Sequence, residues 1–169
     1  RNKYQHHIVA ANLDQSMLVA TLKEPKTSQG FIDRFLVASE MYHVKPFIVF
    51  NKSDLYKQKE LEKYESWKAM YEEVGYKVFL VSAEKKEGLE EVLEMLKNKT
   101  TLISGHSGVG KSSFLNVVFP DKVLKTQEVS GWSGKGQHTT TFAEMYDLPF
   151  GGRIIDTPGM REFGLVDID

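Results

Sequence analysis

Short apolar runs alternate along this chain with stretches in which apolar residues recur every three or four positions. The runs predict strands at Met17–Thr21, Pro46–Phe50, Val78–Val81, Thr101–Ser104, Thr141–Leu148 and Arg153–Ile155. Between them, Phe31, Phe35 and Leu36 mark one helical segment, and Leu61, Tyr64, Tyr71 and Val74 a second. Leu89, Val92, Leu93 and Leu96 fall at i, i+3, i+4 and i+7, the clearest amphipathic stripe in the chain. A further helix is expected to start at Lys111 and bury Phe114, Leu115 and Val118. Phe47–Phe50 and Val78–Val81 are apolar without alternation, which fits strands covered on both faces and hence a mostly parallel sheet. The expectation is a three-layer α/β domain.

One segment breaks the rhythm. Asp121 to Gln137 is polar and carries Gly131, Gly134 and Gly136, and a loop of that length without periodicity is usually functional. There is no internal repeat. At 169 residues the chain is long enough for one α/β core and short for two. No apolar run approaches the ~20 residues that span a bilayer. The first residues have neither the apolar stretch nor the small-residue site of a signal peptide. Because the chain does not begin with Met, it is read as a domain of a longer protein. Cysteine is absent, so these residues form no disulfide and no thiolate metal site, which suits the cytoplasm. Lys and Arg total 22 against 23 Asp and Glu, a formal net charge of −1. That balance lacks the basic footprint of a nucleic-acid binder, so an RNA contact needs a local patch or residues outside this sequence.

The strongest chemical signal is Gly105-His106-Ser107-Gly108-Val109-Gly110-Lys111-Ser112, followed by Ser113. It matches G-x-x-x-x-G-K-[ST], with the strand Thr101–Ser104 before it and a helix after it. The glycines let the backbone turn its N–H groups toward phosphate oxygens, and the helix N-terminus adds its positive end. Lys111 is placed to reach the β and γ phosphates and Ser112 to ligate Mg²⁺. Asp156-Thr157-Pro158-Gly159 follows a second apolar strand. Asp156 stands where a carboxylate holds a Mg²⁺-bound water, and Gly159 can offer its N–H to a γ-phosphate. Alone, this tetrapeptide is only a turn signal.

Asn51-Lys52-Ser53-Asp54 follows Phe47–Phe50. Guanine presents two adjacent N–H donors that adenine lacks, and one ionised carboxylate accepts both, so Asp54 can select guanine. Asn51 would tie this loop to its neighbours, and the Lys52 stem would lie over the base. Ser82 and Ala83 would bring a backbone N–H to guanine O6, although Ser82 equally suits a plain helix cap. Separately, each of these pieces is ordinary turn material.

Taken in order, NKSD, SA, GHSGVGKS, HTTT and DTPG give the motifs of a Ras-like GTPase with the guanine loop first and the phosphate loop later. The sequence resembles the ribosome small-subunit-dependent GTPase A (RsgA/YjeQ) family, a circularly permuted P-loop GTPase fold. The resemblance runs through Ala10–Gln15, Phe31–Glu40, NKSDL, GHSGVGKSS, GKGQHTTT and DTPGMREFGL. It implies that residues 1–169 form the permuted GTPase domain. It also implies GTP and GDP as ligands, Mg²⁺, a cytoplasmic place and action late in maturation of the small ribosomal subunit. The subunit and its rRNA would be partners of the full-length protein; no membrane is implied and a monomer is expected. Family members also carry an N-terminal OB-fold and a C-terminal zinc-binding domain, neither in this sequence, so zinc is expected only in the latter.

Ras-type enzymes orient the attacking water with a Gln after the DxxG glycine, but here Met160 takes that place. His138, beside Thr139, Thr140 and Thr141, is the candidate to orient or polarise water, as a group that titrates near neutrality. Contact with backbone or solvent is the plainer role for it. Thr140 is the choice to complete the Mg²⁺ shell. Arg161 is read as solvated, with charge stabilisation as the alternative; Trp132 and Lys135 as partner-facing or plain loop residues; Lys85 and Lys86 as a solvated loop face; and His6 and His7 as structural. Two other classes stay open: a GTP-dependent binding switch with negligible turnover, which Met160 favours, and an ATP-using P-loop enzyme, which Asp54 opposes.

Overall fold

The computed structural model describes residues 13–120 and 144–156. Six strands form one sheet: β1 Gln15–Thr21, β2 Lys45–Asn51, β3 Lys77–Leu80, β4 Thr100–Ser104, β5 Glu144–Asp147 and β6 Arg153–Asp156. Four helices join them: α1 Gln29–Met41, α2 Gln58–Glu73, α3 Leu89–Leu96 and α4 Lys111–Val118, with a short 3₁₀ turn at Ser53–Leu55. The strand order is β3-β2-β1-β4-β6-β5. All neighbours are parallel except the β5–β6 pair.

Period-two side-chain alternation explains the layers. In β1, Leu18 and Ala20 join Ile48 and Phe50 of β2 under α1 and α2, where Ile32, Phe35, Leu36, Tyr64 and Tyr71 complete one core. Met17, Val19, Phe47 and Val49 face the other way, onto Leu89, Val92, Leu96, Phe114, Leu115 and Val118 of α3 and α4. Every residue of β1 is buried. The expected three-layer α/β fold is therefore present.

Some boundaries and faces differ from the sequence expectation. Leu148 lies outside β5, because its N–H turns back to Gly152 O at 2.9 Å and closes the β5–β6 connection. Val81 leaves β3, although its N–H still reaches Phe50 O at 2.8 Å. Leu61 of α2 and Val74 at its C-terminal cap are exposed, while Glu60 is buried. Glu60 Oε1 accepts the Lys57 N–H at 2.8 Å, capping the helix start, and Glu60 Oε2 lies 3.9 Å from Lys23 Nζ. That backbone hydrogen bond, above all, lowers the Glu60 pKa. No helix among the described residues is long and apolar enough to cross a membrane.

Two features of this topology position the site. Five parallel strands bring their last residues, Thr21, Asn51, Leu80, Ser104 and Asp156, to the same edge of the sheet. The chain also reverses its direction of travel across the sheet between β1 and β4: β2 and β3 lie on one side, β6 and β5 on the other. Ligands of open α/β sheets bind at such a reversal, outside the carboxyl ends of the strands.

Candidate functional site

The loop Gly105–Gly110 leaves β4 at the point where the strand order reverses and enters α4 at Lys111. Gly108 and Gly110 have φ of +84° and +93°, in the left-handed region where a Cβ is penalised. At Gly110 a Cβ would also clash with Asn51 Nδ2. The close approach of the Asn51–Asp54 loop thus makes glycine mandatory there. Lys111 Nζ lies 2.9 Å from Asp156 Oδ1, with both side chains largely buried, so two residues 45 positions apart by numbering (156 minus 111) meet at one point. Ser112 follows in the first turn of α4, partly exposed, and Ser113 is exposed.

Asn51, 2% exposed, joins three segments. Its Nδ2 donates to Val109 O at 3.0 Å in the phosphate loop. Its Oδ1 accepts the Ala83 N–H at 3.0 Å. The Ser82 N–H goes to Glu87 O at 2.9 Å, so both residues are tied into the loops around Asn51. The buried Ser82 hydroxyl donates to Asp54 Oδ1 at 2.7 Å and accepts the Lys85 N–H at 3.0 Å. It serves as both cap and aligner of the carboxylate. Asp54 is exposed, with its other oxygen outside that bond. Ser53 donates its N–H to Val81 O at 3.1 Å. Lys52, at φ +70°, sends its ammonium to Gly108 O at 2.8 Å and to Glu24 O, so its stem bridges the Asn51–Asp54 and Gly105–Gly110 loops.

A fourth segment, which the sequence reading passed over, is built into the same edge. Residues 22–27 leave β1, and the buried Tyr56 hydroxyl accepts the Leu22 N–H at 3.0 Å while donating to Asn51 O at 2.8 Å. Burial raises the Tyr56 pKa, which keeps the phenol protonated for that donation. Thr27 Oγ1 lies 2.8 Å from His106 Nε2. The His106 ring also meets Phe31 edge-on, with centroids 5.1 Å apart. His106 was expected among the nucleotide-contacting residues; its imidazole is committed to the β1 exit and α1, leaving its backbone to the loop. Burial lowers its pKa, opposed by the backbone of Ser107, so it is neutral near pH 7. The sequence hint was small: a buried-type Thr following Pro25 at the end of a strand.

Asn51, Lys52, Ser53, Asp54, Ser82, Ala83, Gly105–Ser113 and Asp156 thus lie along one edge. His138, Thr139, Thr140, Thr141, Gly159, Met160, Arg161, Trp132, Lys135, His6 and His7 lie outside the described residues, as does Asp121–Gln137. Hydroxyl and carboxylate oxygens at Ser112 and Asp156 are hard donors of the kind Mg²⁺ prefers.

The profile of a family described as RsgA GTPase matches residues 1–166. A small ribosomal subunit biogenesis GTPase RsgA of Flavobacterium psychrophilum is 49% identical over 98% of this chain and 51% of its own length. Its counterpart in Cytophaga hutchinsonii is 53% identical over 96% of this chain and 53% of its own. Among solved structures, YjeQ from Thermotoga maritima superposes with a TM-score of 0.74 at 39% identity, covering 88% of this chain and 48% of that one. YloQ, described as a circularly permuted GTPase, gives 0.68 at 31% identity, covering 94% and 48%. The chain spans about half the length of the curated relatives it matches.

Proposed function

The chain belongs to the RsgA GTPase family, and from that membership and the geometry of its site we propose that it binds GTP and GDP and hydrolyses GTP. The observation that carries this reading is the double engagement of Asn51, which locks the loop bearing Asp54 to the loop bearing Lys111. A base reader and a phosphate cradle are thereby held as one site.

In this reading the Gly105–Gly110 backbone and the start of α4 receive the phosphates, and Lys111 neutralises the β and γ oxygens. Asp54 accepts the two guanine donors. Ser112, Thr140 and Asp156 would hold Mg²⁺, which when bound spreads the negative charge of the transferring phosphoryl group. His138 orients the water that attacks the γ-phosphorus, Gly159 steadies the phosphate through its N–H, and the products are GDP and inorganic phosphate. Both of those relatives are small ribosomal subunit biogenesis GTPases by name, and by kinship we assign this chain a part in late maturation of that subunit in the cytoplasm. The subunit and its rRNA are the proposed partners of the full-length protein. The family's OB-fold and zinc-binding domain are proposed to flank this GTPase domain there, and the domain itself is read as a monomer.

Met160 supports a second reading, since thioether sulfur neither donates nor accepts usefully for water. GTP loading would then switch partner affinity with negligible turnover. Comparing GTP with ATP binding and following single-turnover phosphate release, with and without small subunits, tests both. We expect a GTP preference and release that accelerates with subunits. An ATP preference overturns the nucleotide assignment, and no release under either condition leaves the switch.

A further inference from the structure

We infer that Thr27 and His106 are a positioning pair, whose hydrogen bond fixes the entry of the phosphate loop and thereby sets nucleotide affinity. The inference rests on the guanine-nucleotide reading of this site. Thr27 is anchored twice to the end of β1: its N–H donates to Thr21 O at 2.8 Å, and its Oγ1 accepts the Thr21 N–H at 3.0 Å. These bonds close residues 22–26 into a rigid excursion, further tied where Thr21 Oγ1 donates to Lys23 O at 2.9 Å. The same Oγ1 that accepts from Thr21 lies 2.8 Å from His106 Nε2, close enough for a hydrogen bond. The relay runs from a buried strand end to the second residue of the phosphate loop.

The pairing of β1 with β4 explains how the relay arises. Leu18 stands opposite Ser104, so β1 and β4 leave the sheet at the same edge, with β1 running on to Thr21 past the start of the Gly105–Gly110 loop. Thr27, 2% exposed, is thus delivered next to a residue numbered 79 positions later. The same excursion places the Pro25 ring against Gly108, where a Cβ would meet Pro25 Cδ at 3.4 Å. The phosphate loop is therefore held at His106 by Thr27, at Gly108 O by Lys52 and at Val109 O by Asn51. Lys52 and Asn51 belong to the guanine loop. Thr27 does not, so its pair adjusts phosphate binding without reading the base.

A fluorescent GDP analogue titrated into the 169-residue chain, with stopped-flow dissociation, tests this on Thr27→Val, Thr27→Ser, His106→Ala and the Thr27→Val/His106→Ala double variant. Val keeps the shape of Thr and loses the hydroxyl; Ser keeps the hydroxyl. Thr27→Val and His106→Ala should each weaken GDP about tenfold, through faster dissociation at unchanged stoichiometry. The double variant should be no weaker than the poorer single one, Thr27→Ser should recover most of the loss, and the preference for GTP over ATP should persist in all. Additive losses, Thr27→Ser as weak as Thr27→Val, unchanged affinity, or reduced stoichiometry at an unchanged dissociation rate would each overturn the positioning role. Wild-type protein that fails to bind GDP would instead overturn the nucleotide reading beneath it.

Discussion

At the scale of single residues, the decisive group is a carboxylate aimed by a hydroxyl. Ser82 Oγ donates to Asp54 Oδ1 at 2.7 Å, which restrains the carboxylate and leaves its other oxygen outside that bond. An Asp54→Asn exchange preserves that acceptor for Ser82 while replacing an outward acceptor by an amide donor. Facing guanine, donor then meets donor. Sites built around hydrogen bonds reject a mismatched partner strongly because buried polar groups are left unpaired, so GTP affinity should fall by at least about a hundredfold. Xanthosine triphosphate, whose base reverses one of the two groups, should gain relative to GTP. Competition of the two nucleotides against a fluorescent GDP analogue measures both. Undiminished GTP affinity would mean that the NKSD loop does not read the base. Residue type and spacing suffice in the sequence to propose Asp54 as a guanine reader. Its alignment by Ser82 was not legible there, since that depends on β2 and β3 ending side by side.

Among the elements, α4 and α2 show what periodicity reveals and what it hides. In α4, Phe114, Leu115 and Val118 are 0%, 2% and 5% exposed, so the apolar positions and the buried face coincide. Phe114→Ala should therefore cost about 3–5 kcal/mol by transfer and cavity terms. Because α4 begins at Lys111, the same substitution should also weaken GDP binding. Chemical denaturation with and without GDP checks both effects, and a loss within about 0.5 kcal/mol, the range of surface substitutions, would contradict the packing described. Helix α2 behaves differently. At roughly 100° per residue, Tyr64 and Tyr71 nearly coincide in direction, whereas Leu61 and Val74 lie about 60° and 80° to either side. The two tyrosines span the distance to the sheet and take the core, and Tyr71 OH also donates to Asp33 of α1 at 2.9 Å. Leu61 and Val74 flank them in solvent. Apolar spacing locates such a helix; the reach of two large side chains decides which of its edges is buried.

For the whole molecule, the order of motifs matters less than the edge to which the strands deliver them. Residues of the guanine loop precede the phosphate loop in sequence, yet parallel pairing of β2, β1, β4 and β6 returns both to one side of the sheet. Circular permutation preserves this arrangement because the sheet, rather than chain continuity, sets the neighbours. The alternation of elements revealed the layers, but the contacts of residues 22–27 were invisible without the β1–β4 pairing. The cross-loop bonds of Asn51, Lys52 and Thr27 make the site mechanically continuous from base to phosphate. Amide hydrogen exchange should record that continuity. With GDP, protection should rise together in residues 22–27, 51–54, 82–85 and 105–112, whereas inorganic triphosphate should protect 105–112 and 22–27 more than 51–54 and 82–85. The difference arises because Thr27 and Pro25 adjoin the phosphate loop directly, while the guanine loop gains its main new contacts only from a base. Protection by GDP confined to 105–112 would show that the loops act separately, and Asn51 would then be a packing residue rather than the link between base and phosphate.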